Sequence, residues 1–134
     1  MTSEAAGPAA SQSVSILVID DDEDNRAVLG EVLSEQGYSV VCARDGADAL
    51  GLLRSLRPQM ILLDLNMPNM SGLEFRAAQR RDPALTGIPI VVMTAMDRSR
   101  DRIGELDPVE TMRKPVKLAD LLSVVKRYTR ATQG

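Results

Sequence analysis

Four short runs in this chain each end on a residue with a chemical use. Ile16-Leu17-Val18-Ile19 stops at Asp20-Asp21-Asp22, Met60-Ile61-Leu62-Leu63 at Asp64, Ile90-Val91-Val92-Met93 at Thr94, and Thr111-Met112-Arg113 at Lys114. Short apolar runs separated by helical patterns read as strands of a parallel sheet, because the helical crossovers between such strands cover both faces. A parallel sheet carries the carboxyl ends of its strands to one edge, where α/β proteins bind ligands. Four distant segments therefore meet at one acidic site with a hydroxyl and an ammonium.

The intervening segments supply the helices. Strands are expected at about 14–19, 39–43, 60–63, 89–93 and 110–113. The first helix, about 24–36, turns Val28, Leu29, Val32 and Leu33 inward and stops at Gly37. The second starts near Gly46, buries Ala47, Leu50, Leu53 and, at the limit of its length, Leu56, and ends before Pro58. A third runs from about 72 to 81, where Asp82-Pro83 ends it. A fourth, about 98–106, is weakly specified: Ile103 and Leu106 are its main packing residues, Gly104 lies inside it and Pro108 cuts it. The last carries Leu118, Leu121, Leu122, Val125 and Tyr128 on one face. Right-handed crossovers with the most apolar strands central give a doubly wound sheet in the order 2-1-3-4-5, helices on both faces, in three layers. In that order the chain reverses direction between strands one and three, opening a crevice where Asp20, Asp21 and Asp64 project.

Composition narrows what the site can be. With 134 residues and 44% apolar content, one domain fits and a second does not. Residues 1–13 are small, polar and aperiodic, which reads as a disordered tail; the domain spans 14–130, and 131–134 form a C-terminal tail. A net charge of -3 gives no footprint for direct binding to nucleic acid. No apolar stretch reaches the roughly 20 residues that span a bilayer, and Met1 to Ser13 lacks a signal-peptide pattern, so no membrane association and a cytoplasmic location are expected. Cys42, in Val40-Val41-Cys42-Ala43, reads as a small buried residue. Histidine is absent, which removes imidazole as a base or metal ligand. Any phosphohistidine in its chemistry belongs to a partner.

Three carboxylates held close together repel, so either one stays protonated or a cation neutralises the group. An all-oxygen site favours a hard cation, and Mg2+ fits best, since it is held by one or two carboxylates, a carbonyl and waters with room for a phosphate. Thr94 and Lys114 suit the equatorial oxygens of a transferring phosphoryl group, and Asp64, alone at its strand end, is the best nucleophile for an aspartyl phosphate. Simpler roles compete. Acids after a strand often cap the next helix, the preferred role for Asp22. Met67 and Met70 read as gap-filling or exposed, Arg98, Arg100 and Arg102 as a solvated face, and Lys126, Arg127 and Arg130 as partners of a helix C-terminus.

At these residues the chain resembles the receiver domain of bacterial two-component response regulators, a flavodoxin-like fold. ILVIDDD, ILLDLNMPNMSGLE, IPIVVMTA and RKPV stand in the family's order and near its spacing, over about residues 14 to 130. The resemblance implies that Asp64 is the phosphoacceptor and that Asp20 and Asp21 hold Mg2+, Asp21 more directly, together with Asp64 itself and the Asn66 backbone carbonyl. It implies that Thr94 is the switch hydroxyl, that Lys114 binds the phosphoryl group, and that Lys114-Pro115 is cis. Two departures stand out. Thr111 occupies the place of the usual switch aromatic, and Glu105-Leu106-Asp107-Pro108-Val109-Glu110 replaces the usual Ala-Gly-Ala run.

The function this implies is that of a single-domain, phosphorylation-controlled interaction module rather than an enzyme. A sensor histidine kinase or histidine phosphotransfer protein supplies the phosphoryl group, and a downstream protein reads the face made by the fourth helix, strand five and the last helix. A degenerate receiver that binds without phosphorylation is the alternative. A Mg2+-dependent phosphohydrolase with an aspartate nucleophile comes third, for want of a general acid and a substrate-selecting cap domain.

Overall fold

The computed structural model describes residues 12–65, 72–94 and 106–129. Its strands are β1 (Gln12–Ile19), β2 (Val40–Ala43), β3 (Leu56–Asp64), β4 (Ile90–Thr94) and β5 (Glu110–Arg113). Between them lie α1 (Glu23–Glu35), α2 (Gly46–Leu52) and α3 (Gly72–Arg80), and a C-terminal helix (Leu118–Tyr128) follows β5. All strand pairs are parallel and the order is β2-β1-β3-β4-β5, the expected flavodoxin-like arrangement.

Strand alternation sorts the core into two layers. Leu17, Ile19, Ile61, Leu63, Ile90 and Val92 point to one face, where Ala49 and Leu53 at α2 and Phe75 of α3 cover them. Ile16, Val18, Met60, Leu62, Val91 and Met93 point to the other, against Leu33 of α1 and Leu121, Val124 and Val125 of the C-terminal helix. Each such side chain contributes about 1.5–3 kcal/mol of transfer free energy. Both faces of β1, β3 and β4 are therefore filled, and their carboxyl ends are fixed relative to one another.

Several sequence expectations shift in detail. β1 begins at Gln12, two residues early, and β3 begins at Leu56 and includes Pro58. That proline pairs with Val14 of β1, while pairing with β4 starts only at Ile61, so its missing N–H leaves no gap on the β4 side. In α2, Asp45 caps the helix by accepting from the Asp48 N–H at 2.8 Å, and Gly46 and Ala49 are the residues that face inward. Ala47 is exposed rather than buried, and Leu56 belongs to β3. Val28 of α1 is 58% exposed and Leu118 51%, against the inward positions expected for both; Leu33 on α1 and Leu121, Val124 and Val125 on the last helix carry the packing. Gly37 closes α1 with φ 96, its N–H donating to Ser34 and the Tyr38 N–H to Leu33. The expected helix at 98–106 lies outside the described residues except for Leu106, which is buried.

Candidate functional site

Register brings the strand ends together. Ile19 is level with both Ala43 and Leu63, Asp64 with Met93, and Thr94 with Arg113. Asp20, Asp64, Thr94 and Lys114 thus emerge at one edge of the sheet. The Lys114 N–H donates to the Thr94 carbonyl at 2.8 Å, extending the β4–β5 ladder to the lysine itself. Its Nζ reaches Asp64 Oδ1 at 3.0 Å. The Lys114-Pro115 bond is cis, as the resemblance implied.

Asp20, Asp21 and Asp64 each offer a carboxylate oxygen, and these oxygens lie within 4.8 Å of one another. Asp20 and Asp64 are 1% and 3% exposed, whereas Asp21 faces solvent. Such a set, all oxygen and open on one side, is capable of coordinating a divalent cation such as Mg2+. Burial pushes the Asp20 carboxyl up from its ordinary range; the Asp22 N–H opposes this, the Asp64 charge adds to it and Lys114 opposes it. A cation at this point relieves the repulsion that Lys114 alone offsets only in part.

Asp22 is the α1 cap, as expected, accepting from the Asp24 N–H at 2.9 Å and from Asn25 at 3.4 Å. Thr94 is 5% exposed at its strand end. Asn66, Met67, Met70, Arg98, Arg100 and Arg102 lie outside the described residues. Cys42 is half-buried rather than fully buried, and desolvation pushes its thiol up, which suits an inert residue. Beside the site a cavity of about 240 Å³ is lined by Asp20, Asn25, Val28, Leu29, Lys114 and Pro115 among others. A larger groove of about 560 Å³ runs between β5 and the C-terminal helix, with Thr111, Arg113, Lys117, Asp120 and Arg127 along it.

Sequence reasoning missed three polar networks. Arg26 donates to the Asp20 carbonyl at 2.8 Å. Arg76 donates to the Leu106 carbonyl at 2.8 Å, to the Asp107 carbonyl at 3.3 Å and to Gln79 Oε1 at 2.6 Å, while fully buried Gln79 donates to the Leu85 and Ile88 carbonyls. Glu110 accepts from both Arg127 and the Tyr128 hydroxyl. The one available signal was the lost Ala-Gly-Ala run: Asp107 takes φ 52, and Arg76 holds its carbonyl.

Fold and site together define a class, the doubly wound α/β domain with an acidic switch-point site. Within that class the chain belongs to the response regulator receiver domain family, whose match covers residues 16–126. It is 40% identical over 125 residues to "Response regulator MprA" of Mycobacterium bovis (strain BCG / Pasteur 1173P2), covering 90% of this chain and 53% of that protein. The chain thus spans about half the length of the curated relatives it matches. Among solved structures, the signal receiver domain of a signal transduction histidine kinase from Syntrophus aciditrophicus superposes with a TM-score of 0.80 at 31% identity, covering 86% of this chain and 89% of that one. Response regulator protein TrrA of Thermotoga maritima, in complex with Mg(2+)-BeF, gives 0.75 at 30% identity, covering 87% and 98%. The chain is therefore a signalling receiver domain. Among the described residues no helix is long and apolar enough to cross a membrane.

Proposed function

We propose that Asp64 accepts a phosphoryl group from a phosphohistidine on a partner, a sensor histidine kinase or histidine phosphotransfer protein. The receiver unit, expected over 14–130, takes in the two further β1 residues that open the strand at Gln12. The supporting observation is the Asp64 carboxylate, buried, 3.0 Å from Lys114 Nζ and clustered with Asp20 and Asp21.

In the transfer, an Asp64 oxygen attacks phosphorus in line, the P–N bond of the phosphohistidine breaks, and the imidazole leaves and regains a proton from solvent. Lys114 holds its ammonium where negative charge collects on the phosphoryl oxygens, and the Thr94 hydroxyl turns to donate to one of them. Asp20, Asp21, Asp64 and the Asn66 carbonyl are the residues that would hold Mg2+, which would supply positive charge against those same oxygens when bound. Attack of water on the acyl phosphate later returns the carboxylate and inorganic phosphate. Output leaves through the 98–106 segment, β5 and the C-terminal helix, where a changed surface alters binding to a downstream protein.

Intact-mass analysis after incubation with Mg2+ and acetyl phosphate tests the assignment. One acid-stable, base-labile phosphoryl group is expected, mapping to Asp64. Asp64→Asn should abolish it, and undiminished labelling of that variant refutes the assignment.

A further inference from the structure

We infer that Arg26 is a positioning residue for the metal site, holding the backbone of the Asp20-Asp21 turn so that its carboxylates can converge on a cation; this rests on the Mg2+ reading above. Three carboxylates within 4.8 Å push one another apart. Something must hold the chain that carries them. The last ladder bond of β1 at this edge is Asp20 N–H to the Ala43 carbonyl, 3.1 Å. Beyond it the chain leaves the sheet, and Asp21 is exposed.

At that point Arg26 Nη1 donates to the Asp20 carbonyl at 2.8 Å. The Asp22 N–H simultaneously donates to Asp20 Oδ1 at 2.9 Å, so the carbonyl and the carboxylate of Asp20 are each tied. Arg26 is well placed to act as an anchor because its own backbone is fixed. It lies in the first turn of α1, its N–H donating to the Asp22 carbonyl at 3.0 Å, and α1 in turn rests on β2. Cys42 Sγ lies 3.8 Å from the Arg26 carbonyl, and a Cβ at Gly30 would stand 3.7 Å from the same sulfur. The helix seats on β2, the guanidinium reaches from the helix to the turn, and the turn carries two of the three acids. Removing the outer partner of a ligand-bearing group typically weakens metal affinity by about 10- to 100-fold.

The hydrogen bond, rather than the planar guanidinium, does the positioning. Lysine, a donor of similar reach, should therefore substitute for most of it. Calorimetric titration of the full chain with Mg2+, paired with melting of the metal-free protein, tests this for wild type, Arg26→Ala and Arg26→Lys. The expected result is a loss of affinity of about 10- to 100-fold in Arg26→Ala, a metal-free melting temperature close to wild type, and recovery of most of the affinity in Arg26→Lys. Wild-type affinity in Arg26→Ala overturns the inference. So does a loss that Arg26→Lys fails to recover and that accompanies an equal loss of the metal-free fold, because Arg26 would then be purely structural. Absence of Mg2+ binding in the wild type would instead remove the metal reading itself.

Discussion

The β1–β3 half of the active edge and the β5 half are built on opposite principles. Asp20 and Asp64 stand at the ends of strands buried on both faces, and the residues leading to them, Ile16 to Ile19 and Met60 to Leu63, are at most 1% exposed. β5 is an edge strand in which only Met112 is buried, and the charged and hydroxyl groups of Glu110, Thr111 and Arg113 line a groove. Its attachment to the last helix runs through Glu110, Arg127 and Tyr128, and the turn that feeds it hangs on Arg76. Apolar burial is non-directional but dense, so it fixes the acids cheaply in sequence; polar pairing is weaker and directional, so it can be redrawn. The acids thus sit on the packed half, and the pairings that can be redrawn sit on the polar half.

Lys114 belongs to both halves, so its loss should have the largest effect. Lys114→Ala is expected to slow phosphorylation by acetyl phosphate about 10²–10³-fold, the usual scale for removing a donor aimed at developing charge. The Mg2+ site and the fold should survive. A wild-type labelling rate in stopped time points would place Lys114 outside the chemistry.

Arg76→Ala sharpens the contrast from the other side. It strips donors from the Leu106 and Asp107 carbonyls and from buried Gln79, at a cost of about 2 kcal/mol on the scale for unsatisfied buried groups. Urea denaturation should show that loss while the phosphorylation rate stays near wild type. A stability change within error would mean that the clamp is redundant.

A smaller effect is expected from pH in metal-free protein. Burial raises the Asp20 pKa in the folded state above its unfolded value. The folded state then binds a proton more tightly, so this contribution to stability is present below the unfolded pKa and is lost as pH rises through the folded one. Melting in EDTA should therefore decline across that window, and Asp20→Asn should flatten the decline and gain a few degrees near neutrality. An unchanged pH profile in Asp20→Asn would count against a raised Asp20 pKa.

The smallest effect belongs to the β5 staple. Glu110→Ala removes a partly exposed pair with Arg127, for which about 0.2–1 kcal/mol is typical. Phosphorylation kinetics should not respond at all, and a slowed rate would show that the two halves are mechanically tied at this end.

The same division explains what was legible in the sequence. The convergence of Asp20, Asp64 and Thr94 followed from three apolar runs, because burial on both faces leaves a plain apolar signature, whereas Lys114 was reached through a short edge strand in which only Met112 is buried. Positions on helices were less legible. Val28, Ala47 and Leu118 read as inward because each fits an apolar period, but Leu33, Ala49 and the Leu121, Val124 and Val125 set carry the packing and leave those three exposed. Arg26, Arg76 and Gln79 were illegible for a different reason. Their partners are backbone carbonyls, which every residue possesses, so no side-chain pattern announces them.

In the proposed mechanism a change at the packed half is read on the polar half through Thr94, with no aromatic side chain at 111 to carry it. Amide hydrogen exchange with and without beryllofluoride and Mg2+, in wild type and in Thr94→Ala, measures this directly. Altered exchange is expected in residues 106–113 of the wild type and should disappear in Thr94→Ala, although the variant still binds beryllofluoride. A response confined to the neighbourhood of Asp64, or one that persists unchanged without the Thr94 hydroxyl, would contradict it.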